Sequence, residues 1–92
     1  MKTALARHIL VKTLDQAVSL KVQIAKGKDF AQLAKKYSIC PSGKKGGDLG
    51  EVRKGQIVSA IDKIIFKGKE NVIHGPIKTK FGFHLVEVIF RD

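Results

Sequence analysis

Two apolar runs, one at each end of the chain, constrain the fold more than any other feature. Leu5 to Val11 is apolar on both faces apart from Arg7 and His8, and Gly82 to Phe90 places His84 between Phe83 and Leu85. A strand that offers apolar side chains to both sides belongs inside a sheet rather than at its edge. The first and last strands are therefore expected to pair in the middle of one sheet. That pairing would set His8 beside His84.

The remaining elements must cover such a sheet. Thr13 and Gln16 have capping-box spacing, and Ala17, Leu20 and Ile24 follow at helical intervals to a C-cap at Gly27. Asp29 caps a second helix that carries Phe30, Leu33, Ala34 and Tyr37 on one face. From Ser38 to Gly47 a proline and three glycines forbid a regular element, except for a short helical turn over 42–45. Asp48 to Arg53 reads as a short strand closed by Lys54-Gly55. A third helix runs from a Ser59 cap to Gly68, and a polar loop covers Lys69 to Gly75, with His74 as a turn residue. Pro76 to Thr79 and Gly82 to Phe90 form a hairpin. The expected class is α+β, one domain over residues 1–92, in the order β-α-α-(short helix)-β-α-β-β.

Charge is the second feature to explain. Eighteen basic residues face eight acidic ones, a net +10, and all the basic ones but Arg7, Arg53 and Arg91 are lysines. Such a field draws anions, and weak, salt-sensitive, non-specific nucleic-acid binding is one expectation; a solubilising surface is the plainer one. Lysine is a point charge without the planar fork that reads bases. No apolar run nears the roughly 20 residues of a bilayer span, and Met1 to His8 lacks the apolar core of a signal peptide. A single cysteine excludes an internal disulfide and fits a reducing compartment. These features read as a soluble, cytoplasmic monomer without a membrane partner.

The chemistry-bearing residues are Cys40, in a polar loop before Pro41, and the two strand histidines. Free cysteines usually sit in apolar surroundings, so this thiol is either functional or half-buried and structural. Each histidine is either a satisfied core residue or part of a site. A zinc held by His8, His84 and Cys40 competes, although no local ligand spacing supports it, and no metal or cofactor is expected. Gly43 to Gly47 fails the phosphate-loop pattern, because it lacks the Lys-Ser/Thr ending and leads into a strand. A cysteine hydrolase would need an orienting carboxylate near a histidine, and none is evident.

In series, Arg7-His8-Ile9-Leu10-Val11, the run Asp29 to Ser38, the Cys40 loop through Gly47-Asp48-Leu49-Gly50, Gly55-Gln56, and Gly75-Pro76 through Phe81-Gly82-Phe83-His84 resemble the parvulins, small peptidyl-prolyl cis/trans isomerases. The resemblance covers essentially the whole chain and is to a stand-alone bacterial-type member. It implies a four-stranded antiparallel sheet surrounded by helices, with His8 and His84 back to back and hydrogen-bonded. It also implies that Cys40 faces the reacting imide, that Thr79 lies in the histidine network, and that Leu49, Ile57 and Ile61 hold the proline with Phe81 at the edge. Two departures concern that pocket: Ile57 and Ile61 stand where Met and Phe are usual, and Ala60 where Pro is common. They imply a weaker pocket and lower turnover. Lys12-Thr13-Leu14 leads directly into the first helix, without the basic loop of the phosphate-directed branch. The implied substrates are therefore prolines in unfolded or flexible polypeptides, without phosphoserine specificity. The alternative is a parvulin-fold module that captures unfolded chains or nucleic acid without catalysis.

Overall fold

The computed structural model describes residues 2–91. Its elements run β1 (Thr3–Val11), α1 (Leu14–Ala25), α2 (Phe30–Tyr37), a 3-10 helix (Pro41–Lys45), β2 (Asp48–Arg53), α3 (Ser59–Lys67), β3 (Ile73–Thr79) and β4 (Gly82–Arg91). The four strands form one antiparallel sheet in the order β2-β1-β4-β3. The two terminal strands are thus its centre, as their two-sided apolar pattern requires.

Strand alternation divides the core between the two faces. Ile9, Val11 and Leu85 point to one side, where Ala17 and Leu20 of α1 and Phe30, Leu33 and Ala34 of α2 cover them. Ala4, Ala6, Val86 and Val88 point to the other, against Val52 of β2 and Ile61 and Ile65 of α3. His8 shares parity with Ala4 and Ala6, and His84 with Val86 and Val88, so both histidines belong to the α3 face. Arg7 points the opposite way. Its Nε donates to Glu87 Oε1 at 2.6 Å, and its guanidinium lies 4.3 Å from the centre of the Phe30 ring, tying α2 to the sheet.

The caps of the first two helices follow their sequence. The Gln16 amide donates to Thr13 Oγ1 (3.2 Å), and the Gln32 amide to Asp29 Oδ2 (3.0 Å). Lys26 occupies the C-cap of α1, with Gly27 just after it at φ +101°. Several boundaries differ from expectation: the C-cap of α1 is Lys26 rather than Gly27, β1 starts at Thr3 rather than Leu5, and the short helix starts at Pro41 rather than at residue 42. The cap of α3 is Val58, with no side-chain bond, and Ser59 is already helical; the first free amides bond to the Val58 carbonyl instead. In addition, β3 starts at Ile73, so His74 and Gly75 lie in a strand rather than in a loop. This strand is an edge, and an edge tolerates a proline that would break a central strand.

The loop after α2 is fixed to β1 at both ends. On entry, the Ile39 amide donates to the Leu10 carbonyl (2.8 Å) and the Leu10 amide to Ser38 Oγ (3.1 Å). On exit, the His8 amide donates to the Gly47 carbonyl (2.9 Å). Gly47 has φ +83°, and a Cβ there would overlap the His8 carbonyl. Neither the backbone angle nor the space admits another residue. Gly47→Ala is expected to destabilise the protein by more than about 2 kcal/mol, read as a drop in the urea midpoint at constant m; an unchanged midpoint would show that the loop is not held as described.

Candidate active site

The register sets the histidines as diagonal neighbours rather than direct partners: His8 lies opposite Val86, and His84 opposite Leu10. Diagonal residues on one face remain within reach of ring side chains. The two Nδ1 atoms approach to 3.4 Å, with the rings 5.5 Å apart between centres and 19° from parallel. Both side chains are buried. Each outer nitrogen also has a partner: His84 Nε2 lies 2.7 Å from Thr79 Oγ1, and His8 Nε2 lies 3.0 Å from Ser42 Oγ. Ser42 Oγ in turn lies 3.4 Å from Cys40 Sγ, and the Phe81 amide donates to Thr79 Oγ1 at 3.1 Å. A single line of hydrogen bonds therefore runs from the thiol to the β3–β4 turn.

A neutral imidazole has one donor and one acceptor. An Nδ1-to-Nδ1 contact needs one of each, so neutral rings must adopt opposite tautomers. If His84 donates to His8, then His8 Nε2–H donates to Ser42 and Thr79 donates to His84. If His8 donates, every bond of the pair reverses. Burial favours the neutral form. It lowers the pKa of His8 from 6.5 to about 4, with the nearby His84 charge as the second cause, and burial also lowers that of His84. No ring nitrogen is left free to hold zinc in this arrangement. Among the described residues no group of three His, Cys, Asp or Glu side chains is arranged for a metal ion.

Above the pair lies a cavity of about 490 Å³. It exists because α3 covers only the Ala4–Ala6 half of its sheet face. Over the other half, the Cys40 loop, β2, the start of α3 and the β3–β4 turn stand around an opening. The structure brings His8, His84 and Cys40 together there with Leu49, Ile57, Ile61 and Phe81 on the walls. Thr79 lies behind His84 and reaches the site only through its hydroxyl. Ile61 is both wall and core, at 1% exposure, whereas Phe81 stands at the rim at 54%. Lining from Leu10, Ile39, Pro41 and Val58 was not foreseen from the sequence, and neither was Ser42. The available signal for Ser42 was the Cys-Pro-Ser run, because a proline-started turn brings residue 42 back beside residue 40.

Residues 8–89 match the PPIC-type PPIASE (rotamase) domain. The chain belongs to that family. Among curated relatives it is 44% identical over 88 residues to the foldase protein PrsA of Exiguobacterium sibiricum, covering 94% of this chain and 29% of the relative. To the chaperone SurA of Legionella pneumophila it is 40% identical over 95 residues, covering 92% and 22%. The chain spans less than a third of the length of these curated relatives. Among solved structures, PrsA of Bacillus anthracis superposes with a TM-score of 0.94 at 29% identity, over 99% of this chain and 42% of that one. The parvulin of Nitrosopumilus maritimus superposes with 0.87 at 32% identity, over 97% of both. The four-stranded antiparallel sheet with its surrounding helices is thus the parvulin fold.

The neutral pair makes this PPIC-type domain sensitive to acid. Unfolded histidine binds a proton below about pH 6.5, but folded His8 does so only below about 4. Between these values the unfolded chain holds more protons, so stability falls as pH falls and is flat above the window. Unfolding free energy is expected to drop by about 2 kcal/mol from pH ~7 to pH ~5, before carboxylates titrate; no change would contradict a buried neutral His8. Ser42→Ala strands a buried ring nitrogen and should cost about 1–3 kcal/mol by the same measurement.

Proposed function

We propose that this domain catalyses cis/trans isomerisation of X-Pro bonds in unfolded or flexible polypeptides, without a phosphoserine requirement. The observation that carries this reading is the nearly all-apolar cavity floored by two uncharged, hydrogen-bonded histidines with a thiol at its wall. It is supported by membership of the PPIC-type family and by likeness to proteins named foldase and chaperone.

The reaction asks for no covalent step. Rotation about the bond is opposed by amide resonance, with a barrier of about 20 kcal/mol. Resonance also separates charge, leaving the planar amide more polar than the twisted one. A dry, uncharged cavity that grips the pyrrolidine ring favours the twisted form over the planar one, which is differential stabilisation of the transition state. Each tenfold acceleration needs only about 1.4 kcal/mol. In this scheme Leu49, Ile57, Ile61 and Phe81 hold the ring. Cys40 tunes the field beside the carbonyl, and the histidine pair with Thr79 keeps the floor rigid and neutral. Isoleucines at 57 and 61 offer apolar contact without a flat aromatic face, so the proposed turnover is modest. The proposed working form is a cytoplasmic monomer, with the free thiol of Cys40 suited to a reducing compartment. Cell fractionation and sedimentation are the checks.

NMR exchange spectroscopy on short X-Pro peptides tests the activity. Exchange between cis and trans signals should speed up on adding sub-stoichiometric protein, most with an apolar X and no more with phosphoserine. Peptide binding without faster exchange would replace the enzyme by a capture module. Ile61→Ala is a poor probe, because emptying that core position costs about 2–5 kcal/mol. Ile57→Ala, at a half-buried wall position, should lower kcat/KM about tenfold with the fold intact. Cys40→Ser and Cys40→Asp should each lower it measurably; full activity in both would remove the thiol from the mechanism.

A further inference from the structure

The cavity uses none of the chain's positive charge, and half of that charge is concentrated in one segment. Six lysines and one carboxylate lie between residues 26 and 45, which is half of the net +10 in about a fifth of the length. The fold gathers them. α2 buries Phe30, Leu33 and Ala34 and turns Lys35 and Lys36 outward, in its last turn. The 3-10 helix lies along α2: a Cβ at Gly43 would meet the Ala34 carbonyl oxygen at 2.9 Å, and one at Gly46 the Ala31 Cβ at 2.8 Å. These two glycines permit the close approach, and it packs the helix that carries Lys44 and Lys45 against the helix that carries Lys35 and Lys36. Lys26 and Lys28 extend the face at the α1–α2 turn. All six are exposed. The one carboxylate in the segment, Asp29, is engaged in capping α2, and the salt bridge found among the described residues is Arg7–Glu87, elsewhere.

We propose that this face, centred on Lys35, Lys36, Lys44 and Lys45, binds the phosphate backbone of duplex nucleic acid without sequence preference. The residue types select this partner. Lysine ammonium groups suit phosphates as point charges, and the face carries no arginine fork to read base edges. Single-strand binding needs aromatic platforms for the bases, but the exposed rings, Phe81 and Phe90, lie outside the face. A bilayer surface favours apolar side chains set among the basic ones. The exposed apolar residues of α1, namely Leu14, Val18 and Val22, lie outside the cationic segment, and Ile39, the exposed large apolar residue within it, lines the cavity instead. The face is distinct from the cavity walls, so duplex binding and isomerisation are separable.

The test uses the intact chain and a short labelled duplex of mixed sequence, read by fluorescence anisotropy over a range of salt. The affinity should fall with salt at a log–log slope of about −4, the value for four released counterions. Changing Lys35, Lys36, Lys44 and Lys45 together to Gln should weaken binding at least about tenfold and flatten the slope, with X-Pro exchange unchanged. The charge-matched control, Lys54, Lys63, Lys67 and Lys69 to Gln around α3, should keep the affinity within about twofold. Ile57→Ala should bind the duplex normally while its exchange activity falls about tenfold, which separates failure of this proposal from failure of the isomerase reading. Equal losses in both lysine variants would reduce the effect to net charge and overturn the site. Binding to phosphatidylserine vesicles but not to duplex would assign the face to a membrane surface and overturn it as well.

Discussion

The pairing of β1 with β4 at the centre of the sheet is the constraint on which the rest of the structure depends. It joins residues about 80 positions apart and therefore carries the largest loop-closure cost in the chain. The apolar side chains on both faces of these strands meet that cost, with α1 and α2 closing one face and α3 part of the other. The same register makes His8 and His84 diagonal neighbours. A slip of one residue in either strand would turn a histidine to the opposite face, so the site and the core are specified by one pairing.

That linkage explains why two polar rings are tolerated in the interior. Burying an unpaired imidazole would cost stability, but each ring nitrogen here has a partner, from Cys40 and Ser42 at one end to Thr79 at the other. Burial also suppresses the charged forms, so the floor of the cavity remains uncharged although it is built of titratable groups. The Cys40 loop contributes because it is held to β1 at Leu10 and at the His8 amide. The segment that carries the thiol is thereby anchored to the very strand that carries the first ring. The outer side of the same loop carries Lys44 and Lys45, so one short helix serves both the proposed isomerase cavity and the cationic face.

Much of this was legible in the sequence, for physical reasons. Two-sided apolar strands announce their central position, and Thr13 and Asp29 cap helices through local bonds that need no tertiary context. What was not legible depended on context. Ile73-His74-Gly75 looks like a loop because glycine and proline punctuate it, yet at a sheet edge Pro76 breaks no central ladder. At Gly75, with φ +120°, a Cβ would collide with the His84 carbonyl. The glycine is thus required by the strand rather than a sign of its end. Ser59 has the chemistry of a cap, but α3 begins one residue earlier and uses the Val58 carbonyl. Ser42 escaped because its role comes from a line of bonds between distant elements, and only the fold shows that line.

Ring ¹⁵N chemical shifts of His8 and His84 at neutral pH report the state of the histidine pair. Two neutral imidazoles in opposite tautomers are expected, or complementary tautomer populations if the line of hydrogen bonds reverses rapidly. An imidazolium at either position, or the same tautomer in both rings, would contradict the hydrogen-bonded neutral pair and the uncharged cavity floor that rests on it.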